Sequence, residues 1–515
     1  MYPKSKQYNE GYSMKKMKIF VSALLCVVFV LALFAACSKD EPKPDEKTPA
    51  PEGEVDSGTP SEAKDPDAPD VPADADFGGK TFSCLTYKGW GGDNIGKDIG
   101  AEELTGDPID DAAFDRRAKI EQLYNCQIKA VSGDDHNAAV EQYRTSILAG
   151  DGSYDFAMTP CANFTSLLSG SYLMELSELT YLNMDKPYWD KNFYDSMAIL
   201  GKNFAASGDI SRRRLECVWI MAFNKKMIAD NSFESPYELV KNGQWTFDKM
   251  LEMAKRVAKD LDGDGKMTES DLYGLNYTGD TIMGLINCSG VKIAELNSEG
   301  VPELTIGKDN NLSKLIKIYE ETRNDEFCID TLFRFWLNDT FIFSENRCLF
   351  LACATHNIGS AEGESSLRNM DVDFGIIPYP KWDLSYDGYT PYTAGNYHPV
   401  LSVPKTNPDP GGTAVILEAM SYEGMKTIKP AFYESLLKTK TIRDEESAEM
   451  IDYIFGNLNY DVGNMYNFGE ITGTFGYGMS AKDNRKTNIV STIEKNSGKW
   501  EAAIDAIVKA VGESD

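Results

Sequence analysis

The sequence predicts an α/β fold built on mainly parallel sheets, and three observations carry that expectation. Strand-like and helix-like segments alternate in β-α-β-α-β order through the first part of the body, the pattern that places helices on both faces of a parallel sheet. The 515 residues exceed one small domain, so two or three compact units are expected. Hydrophobic residues make up 42% and aromatics 11%, which is enough to fill such cores and excludes a wholly disordered chain. With 52 Lys+Arg against 80 Asp+Glu the formal charge is −28. That balance argues against nucleic acid as a partner, because phosphate binding needs clustered Lys and Arg to release counterions. It argues equally against docking on anionic lipid through a basic face. Only His136, His356 and His398 occur, so a histidine-rich metal site is not expected.

The chain begins with what reads as an address. Lys15, Lys16 and Lys18 form a basic region, and Ile19 to Ala36 an apolar run, the layout of a secretory signal peptide over residues 1–36. Translation could start at Met1 or at Met14. An uncleaved membrane anchor would have a similar apolar length, about 18 residues. The ending separates the two readings. Leu33-Phe34-Ala35-Ala36-Cys37 resembles the lipobox of bacterial lipoproteins, which implies acylation of Cys37 and attachment to the outer face of a cell membrane. Residues 38–76 then carry thirteen acidic residues, four lysines, eight prolines and no aromatic. Self-repelling and unable to bury apolar surface, the stretch 37–76 reads as an extended, disordered tether.

The body follows from about Phe77. Thr81 to Tyr87 is a β-branched and aromatic run that ends in the glycine-rich loop Lys88-Gly89-Trp90-Gly91-Gly92. A helix through Phe114, Ala118, Ile120, Leu123 and Tyr124 precedes a strand at Cys126 to Val131. A helix at Ala138 to Leu148 then precedes a strand at Tyr154 to Thr159. Ligands of such sheets bind beyond the carboxyl ends of the strands, so Tyr87, Trp90, Thr159 and Asn163 are site candidates. The glycine loop lacks the Gly-Lys-Ser/Thr of a P-loop, and neither Gly-x-Ser-x-Gly nor His-Glu-x-x-His occurs. Beyond Cys26 and Cys37, eight cysteines lie at wide, irregular spacings in apolar contexts. Buried free thiols are the favoured reading, with disulfides open in an exported chain.

Several later segments together resemble the extracellular solute-binding proteins of ABC importers, in particular the sugar-binding group related to maltose-binding protein. They are Tyr172-Leu173-Met174-Glu175-Leu176-Ser177, Gly201-Lys202-Asn203-Phe204-Ala205-Ala206, Met221-Ala222-Phe223-Asn224-Lys225-Lys226-Met227 and Gln244-Trp245-Thr246-Phe247-Asp248. Asp373 to Pro378 and His398 to Pro404 complete the series. The resemblance spans about Phe77 to Val511. It implies a type II periplasmic-binding-protein-like fold, two α/β lobes with a hinge and a cleft that closes on ligand. Lobe one would take 77–207 and 354–405, and lobe two 208–353 and 406–515. The implied partners are a small-molecule ligand and the membrane subunits of a transporter. A monomer with no enzymatic activity is expected. By position, cleft residues carried over are Tyr87, Trp90, Thr159, Asn163, Asp209, Thr355, His356, Asn396 and Tyr397. Where the family places a Trp, this chain has Thr355 and His356.

Sugars suit this residue set, because their C–H faces pack on aromatic rings and their hydroxyls need planar polar partners. Trp90, Trp189, Trp219 and Trp336 are possible platforms, each with core packing as the alternative; Trp245 reads as structural. Arg212, Arg213 and Arg214 are either solvated or a sign of an anionic ligand. An extracellular glycoside hydrolase or lyase, and a surface polymer-binding adhesion lipoprotein, remain as alternatives.

The strongest local motif runs from Asp260 to Asp271. Oxygens fall at loop positions 1, 3, 5, 9 and 12 (Asp260, Asp262, Asp264, Thr268, Asp271), the Lys266 carbonyl serves at 7 and Gly265 turns the chain at 6. This resembles an EF-hand or dockerin calcium loop, with Asp271 where a bidentate Glu is usual. A helix with Thr246 as N-cap enters it, and Leu272-Tyr273-Gly274-Leu275 leaves it as a strand. That predicts one structural Ca²⁺ clip; an Asp/Gly turn without metal is the alternative reading.

Overall fold

The computed structural model describes residues 65–89, 95–308, 310–330, 340–359, 367, 373–437, 444–479 and 488–514. The signal segment, Cys37, Trp90 and Trp336 lie outside the described residues. Among the described residues no helix is long and apolar enough to cross a membrane.

The first three strands are β1 (Lys80–Tyr87), β2 (Cys126–Gly133) and β3 (Phe156–Pro160). β1 pairs in parallel with both of the others, and the helices Pro108–Tyr124 and His136–Ala149 make the crossovers. Both helices start on an aspartate cap, Asp107 and Asp135, whose carboxylates accept from the first free backbone N–H groups. They end on left-handed Asn125 and Gly150.

The chain then passes to a second sheet through β4 (Val218–Asn224), β5 (Tyr273–Asn276), a hairpin of β6 (Ala294–Leu296) and β7 (Pro302–Leu304), β8 (Cys328–Ile329), β9 (Cys348–Ala354), β10 (Phe374–Ile377) and β11 (Tyr392–Thr393). It returns as β12 (Pro399–Ser402). The first sheet has the order β12-β3-β1-β2 and the second β10-β4-β9-β5-β8, with β11 also on β4. β4 is buried at every residue, as a central strand must be. Its side chains alternate between two cores, Val218, Ile220 and Ala222 on one face and Trp219, Met221 and Phe223 on the other.

Four expectations are corrected. Residues 374–393 belong with the second sheet rather than with lobe one, because β10 and β11 pair antiparallel with β4; the chain crosses back only at 394–398. The helix Pro410–Lys426 packs on the first sheet rather than in lobe two. Ala414, Val415 and Leu417 share a core with Phe82, Ile128 and Phe156. The expected hinge strand at 201–206 is not a continuous strand: Leu200 and Gly201 turn the chain with left-handed φ of 53° and 75°, and Lys202 bridges back to Ile199. Only Ala206 bridges Leu401. Finally, the tether docks at its end. Asp65 pairs with Lys426 at 2.7 Å, Lys186 with Asp70 at 3.2 Å, and Val71, Ala75 and Phe77 pack on the first-sheet core. The eight cysteines of the body are all free and buried, as the sequence suggested.

Candidate functional site

Strand polarity decides where a site can lie. In the first sheet the carboxyl ends of β1, β2 and β3 share an edge with the start of β12, since Pro399 pairs with Pro160. In the second sheet the carboxyl ends of β5, β8 and β9 share an edge with the start of β4, since Trp219 pairs with Ala354 and Tyr392. Both edges meet the two crossovers, residues 207–217 and 394–398. The second crossover has five residues, so at full stretch it spans no more than about 18 Å. The crossovers touch each other: Ala394 N and Thr393 Oγ1 both donate to the Cys217 carbonyl, at 3.3 and 3.4 Å. The helix Cys161–Ser169 docks its first N–H groups here, Cys161 on His398 O and Ala162 on Gly395 O. Those donors are therefore spent and do not form an anion site.

Predicted residues distribute unevenly about this junction. Tyr87 ends β1, and Asn163 lies in the first turn after β3, donating to Asn137 Oδ1 at 2.9 Å. Asn396 and Tyr397 occupy the second crossover, both half-buried. Trp219 lies at the start of β4, 6% exposed, and its indole Nε1 has no partner among the described residues. Thr159 is fully buried on β3 with an equally unpartnered Oγ1. Thr355 is buried too, its hydroxyl donating to Leu215 O at 2.5 Å, while His356 is half-exposed with Nδ1 4.0 Å from Glu216.

Three predicted residues point elsewhere. Arg212 is enclosed by Asp98 at 3.1 Å, Asp110 at 2.8 Å and Glu216 at 3.5 Å. Burial pushes the Asp98 carboxyl up in spite of Arg212 and Ser211. Burial also acts on Glu216, but Arg212, Arg213 and His356 outweigh it and hold that carboxyl below its usual range. Arg212 is thus a structural counter-ion, committed to three carboxylates. Asp209 is 3% exposed and pairs with Arg214 and, at 3.3 Å, with Lys429. Trp189 is likewise internal, its Nε1 donating to Glu418 at 2.7 Å. Trp245 is fully buried with Nε1 on Pro378 O.

No protein-family model matches the chain, and no curated protein matches its sequence. Solved structures do match. An ABC substrate-binding protein from Listeria monocytogenes in complex with cycloalternan superposes with a TM-score of 0.52 at 14% identity, over 84% of this chain and 99% of that one. An ABC transporter solute-binding protein from Thermotoga lettingae bound with α-D-tagatose gives 0.53 at 12% identity, over 83% and 100%. A sugar transporter from Rhizobium etli in an open conformation gives 0.53 at 14%, over 84% and 99%. The chain has the fold of these solute-binding proteins.

Within this solute-binding fold the junction includes residues that sequence reasoning passed over. Thr278 caps the helix Gly279–Cys288 through a reciprocal box with Thr281, at the carboxyl end of β5. Asp280 in its first turn is 2% exposed and accepts from Tyr477 OH. Tyr477 is hydrogen-bonded in turn with Tyr397, and burial together with Asp280 pushes both phenols up. The segment carrying Tyr477 is irregular: Asn467, Gly469 and Glu470 are left-handed and 474–478 is a π turn. Gly279 permits its approach, since a Cβ there would lie 2.6 Å from Tyr477 N. The run Gly473-Thr474-Phe475-Gly476-Tyr477-Gly478 was the signal available in the sequence, glycines alternating with aromatics. A carboxylate, tyrosine hydroxyls and an indole donor at one junction can exchange hydrogen bonds with a polyhydroxylated ligand.

The predicted calcium loop lies apart from this junction. Carboxylate oxygens of Asp260, Asp262 and Asp264 come within 4.8 Å of one another, close enough to share one cation, since two oxygens bound at about 2.4 Å can lie no more than about twice that distance apart. Asp260 accepts from Gly263 N and Gly265 N at 2.7 and 2.8 Å, with Gly265 at φ 79° making the turn. Asp271 departs from expectation. Its oxygens accept from Leu261 N at 2.8 Å, Thr268 N at 2.7 Å and Thr268 Oγ1 at 3.0 Å, so it ties the loop's two ends together and is not among the converging carboxylates. Although desolvation pushes its carboxyl up, those hydrogen bonds hold it below the usual range. Lys259 and Leu272 close the base as a two-way backbone pair.

Proposed function

We propose that the protein is the lipid-anchored solute receptor of an ABC importer, binding a neutral carbohydrate where the two carboxyl edges meet and delivering it without chemical change. The observation that carries this reading is the shared junction itself, with Asp280, Tyr477, Tyr397 and Trp219 gathered at the two crossovers. Neighbours of similar fold bind cycloalternan, tagatose and, for a cyclo/maltodextrin-binding protein with a TM-score of 0.51, maltotetraose. That range of sizes supports a sugar or oligosaccharide. A neutral ligand is favoured because Arg212 and Arg214 are engaged by carboxylates and the first helix donors are taken. Closure about the crossovers would present the liganded form to the membrane subunits, with Cys37 and residues 38–64 holding the body near them. One Ca²⁺ bound by Asp260, Asp262, Asp264 and the Lys266 carbonyl would brace the loop after the helix Phe247–Val257; metal-free, the three carboxylates would repel one another. Calorimetry against a panel of neutral and acidic sugars tests the reading. Saturable one-to-one binding of a neutral sugar, weakened at least about tenfold by Asp280→Asn, is expected. Binding confined to acidic sugars, or release of product, would overturn it.

A further inference from the structure

A cavity lies between the β6–β7 hairpin and the helix Ile489–Gly512, lined by none of the residues at the crossovers. Its volume is about 510 Å³, inside the range of about 300–1,000 Å³ typical of small-molecule clefts. The floor is apolar. Ile493, Trp500 and Ile504 form one stripe of the helix, and Val301 and Ile306 face them from the hairpin side. Gly307 sets the wall: its left-handed φ of 79° favours glycine, and it lies close against the helix, where a Cβ would come 2.7 Å from Ile493 Cδ1.

The rim is charged and one-sided. Glu303, Glu501 and Asp505 are exposed around this floor, against one lysine in the lining, Lys308. Glu501 and Asp505 are four residues apart on one helix, where like charges repel unless a cation stands between them. None of the three acids is ion-paired with a described residue. Glu303 accepts only from the neutral Asn297 Nδ2, at 2.9 Å, and an apolar cavity bounded by carboxylates without a cationic partner among the described residues complements one kind of molecule.

We propose that this cavity binds a small organic cation with an apolar body, its ammonium group held between Glu501, Asp505 and Glu303 and its hydrocarbon part on the Ile493–Ile504 stripe. The apolar part loses water-exposed surface on binding, and the charge supplies selectivity over neutral and anionic analogues. The site stands independently of the carbohydrate reading.

Hexylammonium is a suitable probe, with hexan-1-ol and hexanoate as its neutral and anionic counterparts, titrated by NMR into the mature chain. The expected result is saturable one-to-one binding at about millimolar affinity, the scale for so few atoms, with hexanol about tenfold weaker and hexanoate not binding. Glu501→Gln combined with Asp505→Asn, both at exposed positions that leave packing untouched, should weaken hexylammonium about tenfold. Ser497→Trp should block the cavity, whereas Asp280→Asn at the crossover junction should leave hexylammonium binding unchanged. Non-saturable binding, equal binding of hexanoate, wild-type affinity in the charge variant, or loss of binding on Asp280→Asn would each overturn the proposal.

Discussion

His398 illustrates how a single side chain can couple the crossovers to pH. It is fully buried on the second crossover, hydrogen-bonded through Nε2 to Ser207 Oγ at 2.9 Å and stacked on Phe193. Burial pushes its pKa down from 6.5 to about 3. Above pH 6.5 the ring is neutral in both folded and unfolded chain and contributes no pH dependence. As pH falls below that value the unfolded ring gains a proton that the folded ring refuses, so stability drops by about 1.4 kcal/mol per unit until the folded value near 3 is reached. His398→Gln should therefore lose less stability than wild type on acidification through this window, as denaturant titrations at several pH values would reveal; parallel curves would exclude His398 as the source. Trp219 makes a second prediction at this scale. Its indole N–H is a buried donor without a partner among the described residues, so removing it by Trp219→Phe should offset part of the cost of the smaller ring and leave the unliganded fold close to wild-type stability. If the donor meets the ligand, the same change should weaken binding by about 0.5–1.5 kcal/mol, the net worth of one hydrogen bond. A marked drop in unliganded melting temperature with unchanged affinity would assign Trp219 to the core alone.

At the scale of elements, the acidic loop separates two roles that its sequence pattern merges. Asp262 and Asp264 are exposed and converge with Asp260, whereas Asp271 is buried and binds the loop's own backbone. Calcium should raise the melting temperature of wild type, and Asp262→Ala with Asp264→Ala should remove most of that gain. Asp271→Ala should instead destabilise the protein even in EDTA, by about 1–3 kcal/mol, because it removes the charged acceptor of the part-buried Leu261 and Thr268 N–H groups. Thermal melts of the three proteins with and without chelator distinguish the cases; equal calcium stabilisation in all of them would move the metal elsewhere. The element that sequence reasoning missed, 467–478, has no hydrophobic period to announce it. Its position is set by left-handed turns and by the glycine gap at Gly279, both tertiary circumstances.

For the whole molecule, the crossovers predict a hinge motion. Small-angle scattering should detect compaction on adding a ligand identified by calorimetry, and Tyr477→Phe should shift that compaction to higher ligand concentration. Ligand binding with unchanged scattering would argue for a rigid receptor. Anchoring belongs to this scale as well. Cys37→Ala should abolish lipid labelling and release the protein from the membrane fraction, and unchanged labelling and fractionation would sink the lipoprotein reading.

The sequence by itself determined the α/β class, the parallel setting of β1, β2 and β3 with helices between them in the chain, the favoured reading of the thiols as free and the solute-binding resemblance. These are properties of local period and segment order, which neighbouring residues carry in full. It also named Tyr87 and Asn163 through the carboxyl-end rule, which needs only strand direction, and Asn396 and Tyr397 through the family resemblance. The tertiary structure alone decided which of the charged candidates were free. Asp209 and Arg212 look like ligand groups in sequence, yet their partners Lys429, Asp98 and Asp110 lie about a hundred residues or more away. It likewise decided that β10 and β11 complete the second sheet and that Asp280 and Tyr477, almost two hundred residues apart, share a hydrogen bond. Long-range pairing of this kind depends on how faces pack in three dimensions, and no local pattern of residues encodes it.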